Sequence, residues 1–196
     1  MRIRDENKER SIREKALKMI VKEGLDGFSM QRLAKAADVS PATIYIYFKD
    51  KEDLVAQLCM DAGQRMLDIT LKNFDPSMSF SEGLRIQWVN RAMYCMKYPD
   101  QMDFIEQLRH SPYGEKLTAL MGARFKEVMG DFVSNAIRRN ELVKVSVEVY
   151  WSIAFAPLYN LVKFHMTGKS IGGRKFVLSD KIMKETFELV LKALKP

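Results

Sequence analysis

Two cysteines and two histidines in 196 residues leave little with which to hold a metal or close a disulfide. Cys59 and Cys95 fall on stretches with helical patterning and have no other Cys or His at ligand spacing. Both therefore read as buried thiols rather than as a bridge, a metal site or a sensor. No apolar run reaches the roughly eighteen residues that a membrane span needs. The chain begins Met-Arg-Ile-Arg-Asp-Glu, not with a cationic stretch followed by an apolar one, so a cytoplasmic protein without membrane attachment is expected. Alternation of Val and Ile long enough to build a sheet is also missing. No nucleophile stands with a base, no carboxylates pair at a plausible site, and no cofactor or metal is expected, which argues against an enzyme.

What the chain does have is apolar spacing of three and four residues almost throughout, with 47% hydrophobic residues to fill a core. An all-α protein follows, of about nine helices. The first spans Asp5 to about Lys22, with Ile12, Ala16, Leu17, Met19 and Ile20 facing inward. A fourth, long helix runs from Lys51 to about Asn73, ended by Phe74-Asp75-Pro76. Ser79 and Glu82 form a capping-box pattern for the fifth, which stops before Pro99. The sixth covers about Asp100 to Arg109, the seventh ends near Arg139, the eighth spans Ser146 to about Met166, and the ninth starts at Ser179. Gly168-Lys-Ser-Ile-Gly-Gly-Arg174 contains Gly-Lys-Ser, but Lys163 stands where a phosphate-binding loop needs its first Gly and a helix precedes it, so it reads as a plain loop.

The densest information lies between Phe28 and Leu54. Met30, Leu33, Ala34 and Ala37 make one apolar stripe on a short helix opened by Ser29. Asp38-Val39-Ser40-Pro41 then breaks it. Ser40 caps a second helix with Pro41 at its first position, Val39 and Ile44 pin the pair together, and Asp50 with Asp53 caps the next helix. This is a helix-turn-helix whose second helix can enter a major groove. Pro41, Ala42, Thr43 and Ile46 face outward while Ile44 and Phe48 turn in. Thr43 can bond a base edge or phosphate, and Pro41 or Ala42 can pack on a thymine methyl.

Ile12 to Leu58 resembles the TetR family of one-component transcriptional regulators. The pattern is carried by Gly24 and Gly27, Ser29, Val39-Ser40, Thr43-Ile44-Tyr45-Ile46-Tyr47-Phe48 and Lys51-Glu52-Asp53-Leu54. Ala42 and Asp38 depart from it, since the family often has Gly at both positions; Ala42 suits a helix, and the resemblance implies for Asp38 a left-handed turn conformation, which Asp tolerates. The resemblance implies a DNA-binding domain over residues 1–50 and a helical ligand-binding and dimerisation domain over 51–196. It implies that Gln31 reads bases and that Tyr45, Tyr47 and Lys51 clamp phosphates. Ser29 would serve as cap and phosphate donor, with Ser40, Pro41, Ala42 and Thr43 completing the DNA-facing set. The alternative for Tyr45 and Tyr47 is a core aromatic. Arg2 and Arg4 form either a minor-groove arm or an untethered terminus.

The net charge of +7 suits a polyanion but is unevenly placed, with twelve Lys/Arg against ten Asp/Glu in residues 1–58 and eight against three in 160–196. DNA binding must rest on geometry rather than bulk charge, which speaks against non-specific packaging. The C-terminal excess reads as a solvated face.

Beyond residue 58 the resemblance is architectural. Trp88, Met93, Met96, Met102, Phe104, Leu108, Leu120, Met121, Phe125, Met129, Trp151, Phe155 and Tyr159 form a Met- and aromatic-rich interior, either an ordinary core or one that remoulds around an apolar ligand. Arg91 or Arg109 could face an anionic group, and Gln87, Asn90, Tyr94, His110, Tyr113 and Asn160 could orient a ligand. His110 otherwise caps a helix end. Trp151, Ala154, Leu158 and Leu161 with Met183, Phe187, Val190 and Leu191 offer surplus apolar surface for a homodimer. The expected function is that of a dimeric repressor released from a palindromic double-stranded operator by a small apolar or amphipathic effector. The alternative is a helical ligand- or lipid-binding module or enzyme without a regulatory role.

Overall fold

The computed structural model describes residues 5–109 and 111–196, without the side chains of residues 116–118, 120, 121 and 123–125. The expectations on Arg2, Arg4, His110, Leu120, Met121 and Phe125 lie outside the described residues and side chains. The chain divides into two compact units, one running to Met66 and including Tyr98–Gly122, the other comprising Leu67–Lys97 and Ala123–Pro196.

The first unit opens with α1 (Glu6–Gly27), whose free N–H groups at Asn7 and Lys8 are taken by the Asp5 carboxylate at 3.0 and 3.2 Å. Ile12, Ala16 and Ile20, one helical turn apart, are buried, while Leu17 and Met19 are only half-buried. Gly24 interrupts the helix at φ 77°, close to the expected end at Lys22, and one more turn follows it. Next come α2 (Met30–Ala37), α3 (Pro41–Tyr47) and α4 (Lys51–Thr70). Asp38 takes up the left-handed conformation at φ 53° and ψ 47°, and Val39 N–H then closes onto the Ala34 carbonyl at 3.0 Å. Against α1 packs α6 (Pro99–Arg109), with Phe104, Ile105 and Leu108 buried and Gln107 donating to the Val21 carbonyl at 2.9 Å.

The second unit is built from α5 (Phe80–Lys97), most of α7 (Gly114–Arg138), α8 (Val147–Ala154), α9 (Ala156–Thr167) and α10 (Asp180–Leu194). Phe80 stacks on Phe132 and Phe74 meets it edge-on where Gly83 allows α5 and α7 to meet, since a Cβ on Gly83 would stand 2.4 Å from the Phe132 ring. Ser79 caps α5 through the Glu82 N–H at 3.3 Å. The Phe80 N–H goes to Glu141 at 2.7 Å, which holds that carboxyl below its ordinary pKa.

The expected eighth helix is divided at Phe155, with φ −126° and ψ −29°, into α8 and α9. Two features stabilise the break: Pro157 opens α9, where its missing N–H costs nothing, and Trp88 Nε1 donates to the Ala154 carbonyl at 2.7 Å. The loop after α9 is closed by one antiparallel bridge between Lys169 and Lys175. No helix among the described residues is long and apolar enough to cross a membrane.

Several residues expected to offer interface or pocket surface are used inside the chain instead. Ala154, Leu158 and Val190 are buried in the second unit's own core, leaving Trp151, Leu161, Met183, Phe187 and Leu191 half-buried. Met93 and Met96 face solvent on α5 because the inner face there is filled by Trp88, Arg91, Ala92 and Cys95. Gln87 and Asn90 donate to the Thr70 carbonyl at 2.9 and 3.2 Å, and Asn90 also to Lys72 at 2.8 Å, so both amides close the C-terminal end of α4. Both cysteines are buried free thiols, and burial pushes Cys95 up to about 11.

Candidate nucleic-acid interface

A short helix with a capped N-terminus and a buried back presents a defined outer surface, and α3 meets both conditions. Ser40 Oγ accepts from Thr43 N–H at 3.1 Å and lies 2.8 Å from the Thr43 hydroxyl, so the two side chains form one polar point at the helix start. Ile44, Tyr47 and Phe48 are buried behind it, while Pro41, Ala42, Tyr45 and Ile46 are exposed and Thr43 is half-exposed. On α2, Gln31 is exposed beside the cap Ser29, whose hydroxyl accepts from Arg32 N–H at 3.3 Å. Arg32 turns away from this surface, bonding Glu23 and the Gly27 carbonyl.

The structure separates the two tyrosines that the sequence treated alike. Tyr45 is 54% exposed, whereas Tyr47 is 8% exposed and its hydroxyl accepts from the Asp5 backbone N–H at 3.2 Å. The Tyr47 ring is thus a core aromatic with its polar end placed at the start of α1. Lys51 is half-buried, with Nζ 2.7 Å from the Leu25 carbonyl and 5.9 Å from the centre of the Phe28 ring. One of its three N–H donors is used in tying α4 to the end of α1. Lys49, on the turn between α3 and α4, is exposed and is a cation that sequence reasoning did not single out.

Behind the turn the expected Asp50–Asp53 cap extends into a wider polar network. Asp50 Oδ1 accepts from Asp53 N–H at 2.8 Å, and Asp53 in turn accepts from Lys49 N–H and from Gln57 Nε2, both at 2.9 Å. Those two donors hold the Asp53 carboxyl below its ordinary pKa. Gln57 accepts from Arg13, which also binds Glu9 and Asp61 and lies 5.0 Å from the centre of the Phe48 ring.

The expected ligand residues fall into two groups. Trp88, Arg91, Trp151, Phe155 and Tyr159 come together in the second unit. The Arg91 side chain is 1% exposed, donates to Gln87 Oε1 and the Tyr159 hydroxyl at 3.0 Å each, and lies 4.4 and 5.3 Å from the ring centres of Phe155 and Trp151. Tyr150 packs edge-on against Phe155 at 6.0 Å, and its buried hydroxyl has no hydrogen-bond partner among the described residues. Burial pushes that phenol well above its ordinary range. Phe104 and Arg109 belong to α6 in the first unit, where Phe104 is core and Arg109 is exposed beside Glu106 at 3.8 Å. Sequence reasoning did not find a groove of about 190 Å³ between α5 and α10, lined by Arg85, Trp88, Val89, Met183 and Phe187 among others. The described residues contain no cluster of three or more His, Cys, Asp or Glu able to hold a metal.

A capped recognition helix backed by two others defines a helix-turn-helix DNA-binding module, and comparison with known proteins agrees. Residues 12–58 match the model of the bacterial regulatory proteins of the tetR family. An uncharacterized HTH-type transcriptional regulator of Haemophilus influenzae is 32% identical over 95 residues, which are 48% of this chain and 51% of that protein. An HTH-type transcriptional regulator of Staphylococcus aureus is 42% identical over 69 residues, 35% of each chain. The chain therefore spans about half the length of the first curated relative and about a third of the second. The crystal structure of a TetR family transcription regulator from Marinobacter aquaeolei superposes with a TM-score of 0.83 at 26% identity, covering 100% of this chain and 99% of that one. Residues 12–58 are thus similar to the DNA-binding region of the tetR-family regulators, and the whole chain shares the fold of the Marinobacter protein.

Proposed function

We propose that the chain is a sequence-specific DNA-binding transcriptional regulator acting in the cytoplasm through binding rather than catalysis. Residues 1–50 form the reader, and 51–196 form a ligand-binding and dimerising domain. The observation that carries this reading is the outward surface of α3, where Pro41, Ala42, Thr43, Tyr45 and Ile46 stand exposed or half-exposed on a helix fixed from behind. Small and hydroxyl-bearing side chains of this kind suit a major groove. In this reading Gln31 contacts a base and Ser29, Ser40, Tyr45 and Lys51 contact phosphates, while the buried Tyr47, which the resemblance also gave to phosphates, supports the helix from behind. A single reader this short makes few base contacts, so two copies act on a palindrome with their readers about 34 Å apart. The partly exposed apolar side chains of α8 to α10 support that dimer.

In this reading the protein represses and is released by a small apolar or amphipathic effector. The support is the cluster of Trp88, Arg91, Trp151, Phe155 and Tyr159, together with α4, one continuous helix that begins at Lys51 and ends in the second unit. The test is selection from a randomised duplex pool by the full-length protein, followed by anisotropy titrations at several salt concentrations. A palindromic consensus bound with a steep salt dependence is expected, and recovery of no preferred sequence would overturn the reading. Once an effector is found, operator must weaken its binding by the factor by which it weakens operator.

A further inference from the structure

The geometry points to Arg13 as the residue that sets how the recognition helix is presented, a positioning role that rests on the DNA-binding reading above. Its guanidinium stands where α1, α4 and the end of α3 meet. Nε and Nη2 bind Glu9 on the same helix at 3.2 and 2.8 Å, Nη1 binds Asp61 of α4 at 2.9 Å, and Nη2 also donates to the Gln57 oxygen. The flat face of the group lies over Phe48, the residue whose N–H closes α3 on the Ile44 carbonyl at 3.0 Å. An ammonium could not fill this place, because only the planar five-donor fork binds three groups at its edge while stacking on a ring.

From Arg13 the connection continues in a fixed sense. Gln57 must turn its oxygen to the cation and its NH₂ to Asp53, so its amide dipole is aligned between a positive and a negative group. Asp53 then uses its two oxygens on Gln57 and on the Lys49 backbone N–H. Lys49 and Phe48 are the two residues that follow α3. Arg13 therefore fixes the end of the recognition helix twice, through the Phe48 ring and through Gln57–Asp53–Lys49. Without it the Gln57 oxygen loses its donor, Asp53 loses an aligned partner, and the α3–α4 turn is held by its cap alone. Specific recognition needs one presentation of α3, whereas attraction to phosphates does not.

The experiment uses the full-length protein with two labelled duplexes of equal length, one selected from a randomised pool by the wild-type chain and one of random sequence. Arg13→Met should weaken binding to the selected duplex about tenfold, within the range of coupled networks, and leave the random duplex within about twofold with an unchanged salt slope. Arg13→Lys should not restore the ratio. Amide exchange at Lys49 should accelerate about tenfold in Arg13→Met, a local readout that does not depend on DNA. An equal loss of affinity for both duplexes by folded Arg13→Met protein would overturn the assignment, as would a fall in salt slope, which would place Arg13 on a phosphate. Should Arg13→Met fail to fold, Gln57→Leu carries the test, since it keeps both Arg13 ion pairs while cutting the route to Lys49. An unchanged selected-to-random ratio and unchanged Lys49 exchange in that variant would sink the proposal. If the wild-type chain selects no duplex, the DNA-binding reading itself falls, and with it the role given to Arg13.

Discussion

The Tyr47 hydroxyl accepts a hydrogen bond from the backbone N–H of Asp5 across 42 residues of chain, so the end of the recognition helix holds the residue that caps α1. Asp5 cannot keep both its cap geometry and this bond if α3 shifts. Removing the hydroxyl by Tyr47→Phe should cost about 1 kcal/mol of stability, the ordinary worth of such a bond. Tyr45→Phe, at an exposed position, should leave the melting temperature unchanged and weaken DNA binding. Thermal unfolding and anisotropy on the two variants separate the roles, and reversed outcomes would exchange them.

Lys51 has a comparable double claim on it. Its bond to the Leu25 carbonyl ties α4 to the final turn of α1, and two N–H donors remain for a phosphate. Lys51→Ala is expected to reduce the salt slope of binding by roughly one per subunit and to lower stability modestly. An unchanged slope with lowered stability would assign Lys51 to the fold alone. Gln31→Ala should instead relax preference at one base pair per half-site, at about 1–3 kcal/mol.

Acid should loosen the α3–α4 turn. The Asp53 carboxyl is held below its ordinary pKa by Gln57 first and the Lys49 N–H second, and the Glu141 carboxyl chiefly by the Phe80 N–H. A depressed folded pKa means that the stabilisation is complete above the unfolded value and is lost as pH falls through the folded one. Denaturant midpoints should thus decline as pH drops below about 4, the ordinary carboxyl range. The decline should be shallower in Asp53→Asn and Glu141→Gln, and parallel curves for wild type and variants would contradict this.

Two glycines on neighbouring helices should respond oppositely to alanine. At Gly83 the new Cβ would meet the Phe132 ring at 2.4 Å, so Gly83→Ala should destabilise by about 1–3 kcal/mol through overpacking. At Gly130 in α7 nothing lies within 4 Å, and Gly130→Ala should stabilise by about 0.5–1 kcal/mol through helix propensity. Urea unfolding of both variants checks the sign of each.

Leu189 is 68% exposed on α10 and contributes little to its own chain's core. If α10 forms the dimer surface, Leu189→Glu should yield monomers by light scattering at micromolar concentration with helical content retained. A dimer that persists would move the interface elsewhere.

The parts of this fold that could be read in advance are those governed by neighbours three or four residues away. Ser29, Ser40, Ser79, Ser146 and Ser179 each cap the helix they precede, and Asp38 adopts the left-handed turn, because each needs only its own local backbone. The division at Phe155 was legible only in part, since Pro157 is a local break signal whereas Trp88, 66 residues before Ala154, takes up the carbonyl at the break. Arg13 was not legible, because its partners Gln57 and Asp61 are 44 and 48 residues away. In the candidate site, residue types were readable but their allocation was not. Phe104 and Arg109 share the chemistry of Phe155 and Arg91, yet α6 carries them into the first unit, and helical periodicity records which face is apolar without saying what covers it.

Both tryptophans of the chain, Trp88 and Trp151, lie in the second unit, Trp88 edge-on to Phe187 and Trp151 beneath the Arg91 guanidinium. The helix-turn-helix contains none, so bound nucleobases have no indole there to quench. Tryptophan emission of the unlabelled protein is therefore an optical probe of the second unit alone. A spectral change on adding duplex DNA would have to originate in the first unit and be reported from the second.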